Sequence, residues 1–202
     1  MTDSEQEQVR SFIENFLNIH NPELIQLLLA EVYFRTAPQG EQILTTGQRP
    51  PVLSVLWEGL CRGYVIQPDG RDMTDCFACD RGLVLWGSIP LWEPSNISIE
   101  ALSDCTLLEI SLDRVIELMR YRELEHTVQS YLFIGLQRHW DLHAILNQHT
   151  AAERYQWFLE NYPGVIDVVQ KRHVASFLGL TPESLSRVRR HLSKEPAPTE
   201  EE

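Results

Sequence analysis

The residues of this chain best suited to chemistry lie between 171 and 194, in KRHVASFLGLTPESLSRVRRHLSK. Glu183, Ser186 and Arg187 are three and four apart, so a helix opening at Pro182 would carry all three on one face. A glutamate there can accept from a cytosine amine, and an arginine can grip guanine in a fork, which is how base edges are read in the major groove of DNA. Lys171, Arg172, Arg189, Arg190 and Lys194 add positive charge, and Glu183 is the single acid in the segment. Such charges hold phosphates, which position a protein on DNA without specifying sequence.

The elements that must hold these groups are written in the same stretch. Ala175 is small enough for two helices to cross closely, Gly179 accepts the positive φ of a tight turn, and Leu178, Leu180, Leu185 and Val188 supply a buried side. That is the spacing of a helix-turn-helix. Thr181-Pro182-Glu183 starts the second helix: threonine caps, proline takes the first helical position, and glutamate sits against the helix dipole. Short patterns of this kind also arise by accident, so a structural helical hairpin with solvated arginines is the alternative.

Other candidate constellations are weaker. Cys76-Phe77-Ala78-Cys79 has the spacing of a redox pair or half a zinc site, but it lies in a strand-like run where residues three apart point to opposite faces. With Cys61 and Cys105, these cysteines read as buried or semi-exposed thiols. His139 and His143 are one helical turn apart, only half of a metal site, and read as part of a polar stripe. No metal ligand, cofactor or catalytic residue is predicted, and with no glycine-rich phosphate loop, nucleophile elbow or HExxH the chain is not expected to be an enzyme.

A length of 202 residues allows one large domain or two modest ones, and two unequal domains are expected. The formal net charge of -12 excludes a protein that coats nucleic acid with its whole surface, leaving a local basic patch on an acidic body. No apolar run is long enough for a membrane span, and the opening MTDSEQEQVR lacks the basic start and apolar core of a secretory signal. A cytoplasmic protein with no membrane partner is the expectation.

The hydrophobic periodicity predicts an α+β chain. Residues 4–32 carry apolar positions at three and four, interrupted by Asn21-Pro22-Glu23, which predicts two helices. From Val32 to Ile110, short runs of Val, Ile, Leu, Tyr and Trp alternate with turn residues, which predicts an antiparallel, jelly-roll-like β-roll of about eight strands with its clearest hairpin around Pro68-Asp69-Gly70. Leu112 to Met119 reads as a short helix, and Arg122 to Gln148 as one helix of about seven turns. Leu124, Val128, Tyr131, Gly135, Leu142 and Ile145 recur along it at heptad spacing, with Leu132, Phe133, Leu136 and Trp140 as further apolar contacts. Arg138 is the exception to the heptad; one side of the helix can pack on its own roll and another on a partner, and an exposed apolar seam of that length implies a homodimer. Thr150-Ala151-Ala152-Glu153 is a capping box opening a helix that Pro163-Gly164 ends. The tail 195–202 is acidic and proline-broken, and is expected to be disordered.

This order of β-roll, long helix and all-α helix-turn-helix resembles the Crp/Fnr family of bacterial transcription regulators over nearly the whole chain. Trp57 to Arg71 is similar to that family's G-x-x-x-x-Y hairpin with its D-G turn, and Ile99 to Asp104 with Thr106 to Ile110 resembles its last roll strands. Arg154, then Val174-Ala175, Leu178-Gly179-Leu180-Thr181, Glu183 and Ser186-Arg187, match its DNA-binding segment. The resemblance implies a sensor domain over 1–121, a dimerisation helix over 122–149 and a helix-turn-helix domain over 150–194. It places Glu183, Ser186 and Arg187 in base-reading positions, with Lys171, Arg172, Thr181, Ser184, Arg189 and Arg190 completing the DNA-binding set. The expected partners are double-stranded DNA bearing a near-palindromic operator, a second copy of the chain, and RNA polymerase as a further candidate.

Two departures qualify the resemblance. Members that bind cyclic AMP hold its phosphate with glycine-glutamate and arginine-serine pairs; here those places read Gly87-Ser88 and Ser95-Asn96, so the cation is missing and a buried anion would lack its countercharge. Trp86, Gly87, Ser88, Ser95 and Asn96 remain the ligand-pocket candidates, with cyclic AMP disfavoured and the effector unknown. The residues after Leu192 do not suit the two-stranded wing that usually follows the reading helix, which predicts weaker and more salt-sensitive binding. A sensor or protein-interaction module that has lost DNA binding is therefore the second reading.

Overall fold

The computed structural model describes residues 1–192; Lys194 and the acidic tail 195–202 lie outside them. Helix α1 (Asp3–Ser11) opens on a capping box between Thr2 and Glu5 and runs into a π-helical turn at Phe12–Phe16. Helix α2 (Pro22–Glu31) begins at the predicted proline, where the Asn21 side chain accepts from the Leu24 amide. Seven strands follow: β1 (Tyr33–Ala37), β2 (Gln42–Leu44), β3 (Val52–Glu58), β4 (Cys61–Ile66), β5 (Asp72–Ala78), β6 (Ser98–Ala101) and β7 (Cys105–Ser111). They form two sheets of order β1-β7-β3 and β2-β6-β4-β5.

Among the described residues the expected eighth strand does not form. Between β5 and β6 the only β pairing described is an isolated bridge of Val84 to Val55, because Gly82, Pro90 and Pro94 break every run before it reaches strand length. The β4–β5 turn is as predicted: Gln67 N donates to Arg71 O, and Gly70 N to Gln67 O, both at 2.8 Å. Strand β7 does not alternate between core and solvent, since both its faces are covered. Leu108 and Ile110 join the helix-side core with Val9, Ile13, Leu24 and Leu28, while Leu107 and Cys105 pack between the sheets with Leu44, Leu56 and Ile99.

Helix α3 (Leu112–Leu118) precedes α4 (Arg122–Gln148), which is continuous over the predicted range. Then come α5 (Ala151–Asn161), opened by the predicted Thr150–Glu153 capping box, α6 (Val165–Val168), α7 (Lys171–Phe177) and α8 (Pro182–Leu192). The chain divides into two compact units, one of residues 1–65 and 75–137, the other of 66–74 and 138 onward. The division falls inside α4, within the stretch expected as a separate dimerisation helix, and the tip of the β4–β5 hairpin belongs with the helical unit.

Candidate functional site

In the helical unit, α7 and α8 form the expected helix-turn-helix. Gly179 has φ +65°, and the turn around it closes through Leu180 N donating to Ala175 O at 2.8 Å. Ala175, Leu178 and Leu185 are fully buried, and Leu180 and Val188 half-buried, so the apolar side predicted for the motif is the side that packs. Phe158 of α5 and Phe177 of α7 meet edge-on at 5.9 Å, with Tyr162 5.4 Å from Phe177, and this aromatic group fills the space behind the motif.

Two polar ties brace the motif. The Arg154 guanidinium donates to Leu178 O at 3.2 Å and to His149 O at 2.9 Å, joining the start of α5 to the turn. The Ser176 hydroxyl of α7 accepts from Thr74 N at 2.8 Å, fastening the hairpin tip to the first motif helix.

The second motif helix begins as the sequence predicts, with Thr181 Oγ1 accepting from Ser184 N at 3.1 Å. Glu183, Ser186, Arg187 and Arg190 are exposed on the side of α8 away from Leu185. Arg187 donates to Ser184 Oγ at 3.3 Å, and the Ser184 hydroxyl lies 3.1 Å from that of Thr181, so Ser184 serves the helix start and is only half-exposed. Arg189 is half-buried on the flank, and Lys171 and Arg172 are exposed in the first turn of α7. The Glu183 carboxyl is held below its ordinary value by its own backbone amide at the helix start, by the Thr181 hydroxyl and by Arg187, so it is an acceptor at neutral pH.

The ligand-pocket candidates are brought together by hydrogen bonds within one stretch of chain. Ser95 is 2% exposed and donates to Ile97 O at 2.5 Å, while Ser88 lies within reach of Pro90 O at 3.1 Å and Glu93 O at 2.9 Å. Asn96 N donates to Gly87 O at 2.7 Å, and a Cβ on Gly87 would lie 2.0 Å from Ser95 Oγ. The hydroxyls of Ser88 and Ser95 are taken up by carbonyls of this segment. Trp86 lines a cavity and packs 6.3 Å from Tyr131 of α4.

The structure places part of the expected dimer seam against the chain's own core. Leu124 and Val128 are buried in the chain's own helix-side core, Tyr131 packs on Trp86, and Gly135, Leu142 and Ile145 are half-buried. What α4 exposes instead is Phe133 at 71%, Trp140 at 74%, Ile134 at 49% and Leu136 at 44%. Tyr131 and Phe133 are two residues apart, about 200° around a helix, so the heptad seam and the exposed stripe lie on opposite sides. Heptad spacing alone marks one apolar line and cannot say which neighbour it meets. Of the further apolar contacts expected, Phe133, Leu136 and Trp140 are exposed, while Leu132 packs on the chain's own core.

Sequence reasoning missed two further features. Cys61 and Cys105, from different sheets, bring their sulfurs to 3.6 Å in the roll interior. The bond from the Cys61 thiol pulls Cys105 down and, with burial, pushes Cys61 up, so Cys105 loses its proton first. Cys76 is pushed up to about 12 by burial and the Asp75 carboxylate, and Cys79 lies just past the end of β5. Also unforeseen is Glu123 Oε2 of α4, which accepts from the amides of His20 at 2.8 Å and Asn21 at 2.9 Å. Among the described residues no group of three His, Cys, Asp or Glu side chains is arranged to hold a metal, and no helix is long and apolar enough to cross a membrane.

No protein-family model and no curated protein sequence matches the chain. Solved structures do. FixK2 from Bradyrhizobium japonicum is similar with a TM-score of 0.71 at 18% identity, over 80% of this chain and 84% of its own. A transcriptional regulator assigned to the Crp/Fnr family from Eubacterium rectale is similar at 0.71 and 17% identity, over 89% and 86%. The chain has the Crp/Fnr fold. CLP from Xanthomonas campestris, described as a c-di-GMP responsive global regulator, shares that fold at a TM-score of 0.69 and 17% identity, over 86% of this chain and 92% of its own. The Crp/Fnr fold accounts for the order of roll, long helix and helix-turn-helix.

Proposed function

We propose that the chain is a homodimeric, sequence-specific DNA-binding regulator of transcription of the Crp/Fnr type, reading a near-palindromic operator and not responding to cyclic AMP. The observation that carries this reading is the outward face of α8, where Glu183, Ser186 and Arg187 stand together opposite the buried Leu185. Glutamate and arginine one turn apart suit cytosine and guanine edges, and Lys171, Arg172 and Arg190 are exposed for phosphates. The Gly87–Asn96 loop, with serines where a phosphate needs a cation, supports an effector other than a cyclic nucleotide.

Dimerisation uses the exposed stripe of α4. Phe133 and Trp140 are seven residues apart, within about 20° of one line, and aromatic rings there would stand in water unless a second copy covered them. Paired readers one DNA turn apart, about 34 Å, would then meet two half-sites. RNA polymerase remains a candidate partner of the bound dimer.

Footprinting on the DNA upstream of its own gene, followed by gel shifts with the protected site, tests the reading. Glu183→Ala and Arg187→Ala are each expected to cost about 1–3 kcal/mol of discrimination at one base position per half-site. Unchanged sequence preference in both variants would overturn the assignment. The double variant Phe133→Asp/Trp140→Asp is expected to sediment as a monomer and to lose most operator affinity. The net charge of -12 favours the rival, a sensor module without DNA binding, and that reading wins if no footprint appears at low salt.

A further inference from the structure

The roll unit contains a cavity of about 90 Å³ away from the Gly87–Asn96 loop. Its walls come from the π-helical turn and α2, from the helix-side face of β3 and β7, and from the first turns of α4; Leu17, Val55, Trp86, Leu108, Val128 and Tyr131 are among them. Close-packed interiors seldom leave a void larger than a water molecule, and π-helical turns tend to occur at functional sites. Both features coincide here.

The chemistry of the walls selects the ligand. Only two lining residues carry ionisable or hydroxyl groups besides Tyr131, and both are engaged: Thr127 Oγ1 lies 2.8 Å from Glu123 O and 3.1 Å from Leu17 O, and Glu109 accepts from Ser54 Oγ at 2.9 Å and Arg35 Nε at 3.0 Å. Burial pushes the Tyr131 phenol up to about 12, so it is uncharged. A charged molecule would lose its hydration and find no countercharge, with only the Tyr131 phenol and the Trp86 indole N–H as polar groups not already engaged. Water needs two to four polar partners and is poorly served for the same reason. An apolar cavity of about 150 Å³ accommodates benzene, so this smaller one suits something smaller.

We propose that this cavity is a ligand site for a small, uncharged, hydrocarbon-like molecule below the size of benzene, and that its occupancy is the signal the roll receives. The second half rests on the regulatory reading above; the first does not. Leu124, Thr127, Val128 and Tyr131 occupy successive turns of α4, so a bound molecule supports that helix directly where the void leaves it without contacts.

The test uses the full chain with xenon and cyclopropane as probes. Saturable xenon binding, followed by the ¹²⁹Xe chemical shift, and a rise in Tm of about 3–6 °C with cyclopropane at tenfold its Kd are expected. Val128→Leu places one more methylene in the space and should weaken both by about tenfold or more. Val55→Thr keeps the shape and adds a hydroxyl, and should weaken binding without altering the fold. Absence of saturable xenon binding, or equal binding by the wild type and a folded Val128→Leu or Val55→Thr variant, would overturn the site. The signalling role is read separately, as a cyclopropane-dependent change in affinity for the footprinted DNA that Val128→Leu abolishes. Xenon binding with no such change overturns that role alone and leaves the site standing.

Discussion

The second motif helix and the Gly87–Asn96 loop are both rich in short polar residues, yet they use them in opposite directions. On α8 the polar face points outward, because Leu185 and Ala175 bury the other side and Thr181 caps the helix start. In the loop the serines turn inward and bond to carbonyls of the same loop, with Gly87 leaving no room for anything else. Polar residues are left free to face outward when the backbone they sit on is already satisfied. Where they must satisfy that backbone themselves, they make structure instead.

The sharpest way to break this comparison is to remove the support beneath the outward face. Leu185→Ala should cost about 2–5 kcal/mol of the helical unit's stability, whereas Ser186→Ala and Arg187→Ala, one and two residues on, should stay within about 0.5 kcal/mol by thermal melts. Equal losses would mean that α8 is not a reader presented on a core. In the loop the order reverses: Gly87→Ala is expected to destabilise the roll by about 1–3 kcal/mol in urea titrations while leaving DNA discrimination unchanged. Smaller again, Ser95→Ala should lose about 0.5–1.5 kcal/mol, the worth of one internal hydrogen bond.

The smallest effect concerns the fastening of α4. Glu123 is held below its ordinary value first by the Asn21 amide and then by that of His20. A carboxyl lowered on folding stabilises above its unfolded pKa, so the advantage of wild type over Glu123→Gln should be complete above about pH 5 and fade as the pH falls through 4.5 and below. Its size should stay under about 1 kcal/mol, because the group is only half-buried. An advantage that persisted undiminished to low pH would show that the carboxylate is not what ties α4 to α2.

The local signals were legible where their physics is local. Caps at Asn21, Thr150 and Thr181, the Pro68–Gly70 hairpin, the length of α4 and the Gly179 turn each depend on a few consecutive residues, and each appears where the sequence predicts it. Strand number was less accessible, because the 79–97 stretch has strand-like residues whose pairing its prolines and glycine prevent.

The sequence by itself therefore determined the order of elements, the α+β class and the outward polar face of α8. Tertiary structure alone decided which side of α4 is spent on the chain's own core and which is left exposed. It also decided that the serines of the Gly87–Asn96 segment bond to nearby carbonyls, that Cys61 meets Cys105, and that three groups of elements leave an apolar void. The reason is distance along the chain. Caps and turns act within four residues, whereas Leu124 is buried by partners near residues 13 and 110, and no periodicity within α4 records them.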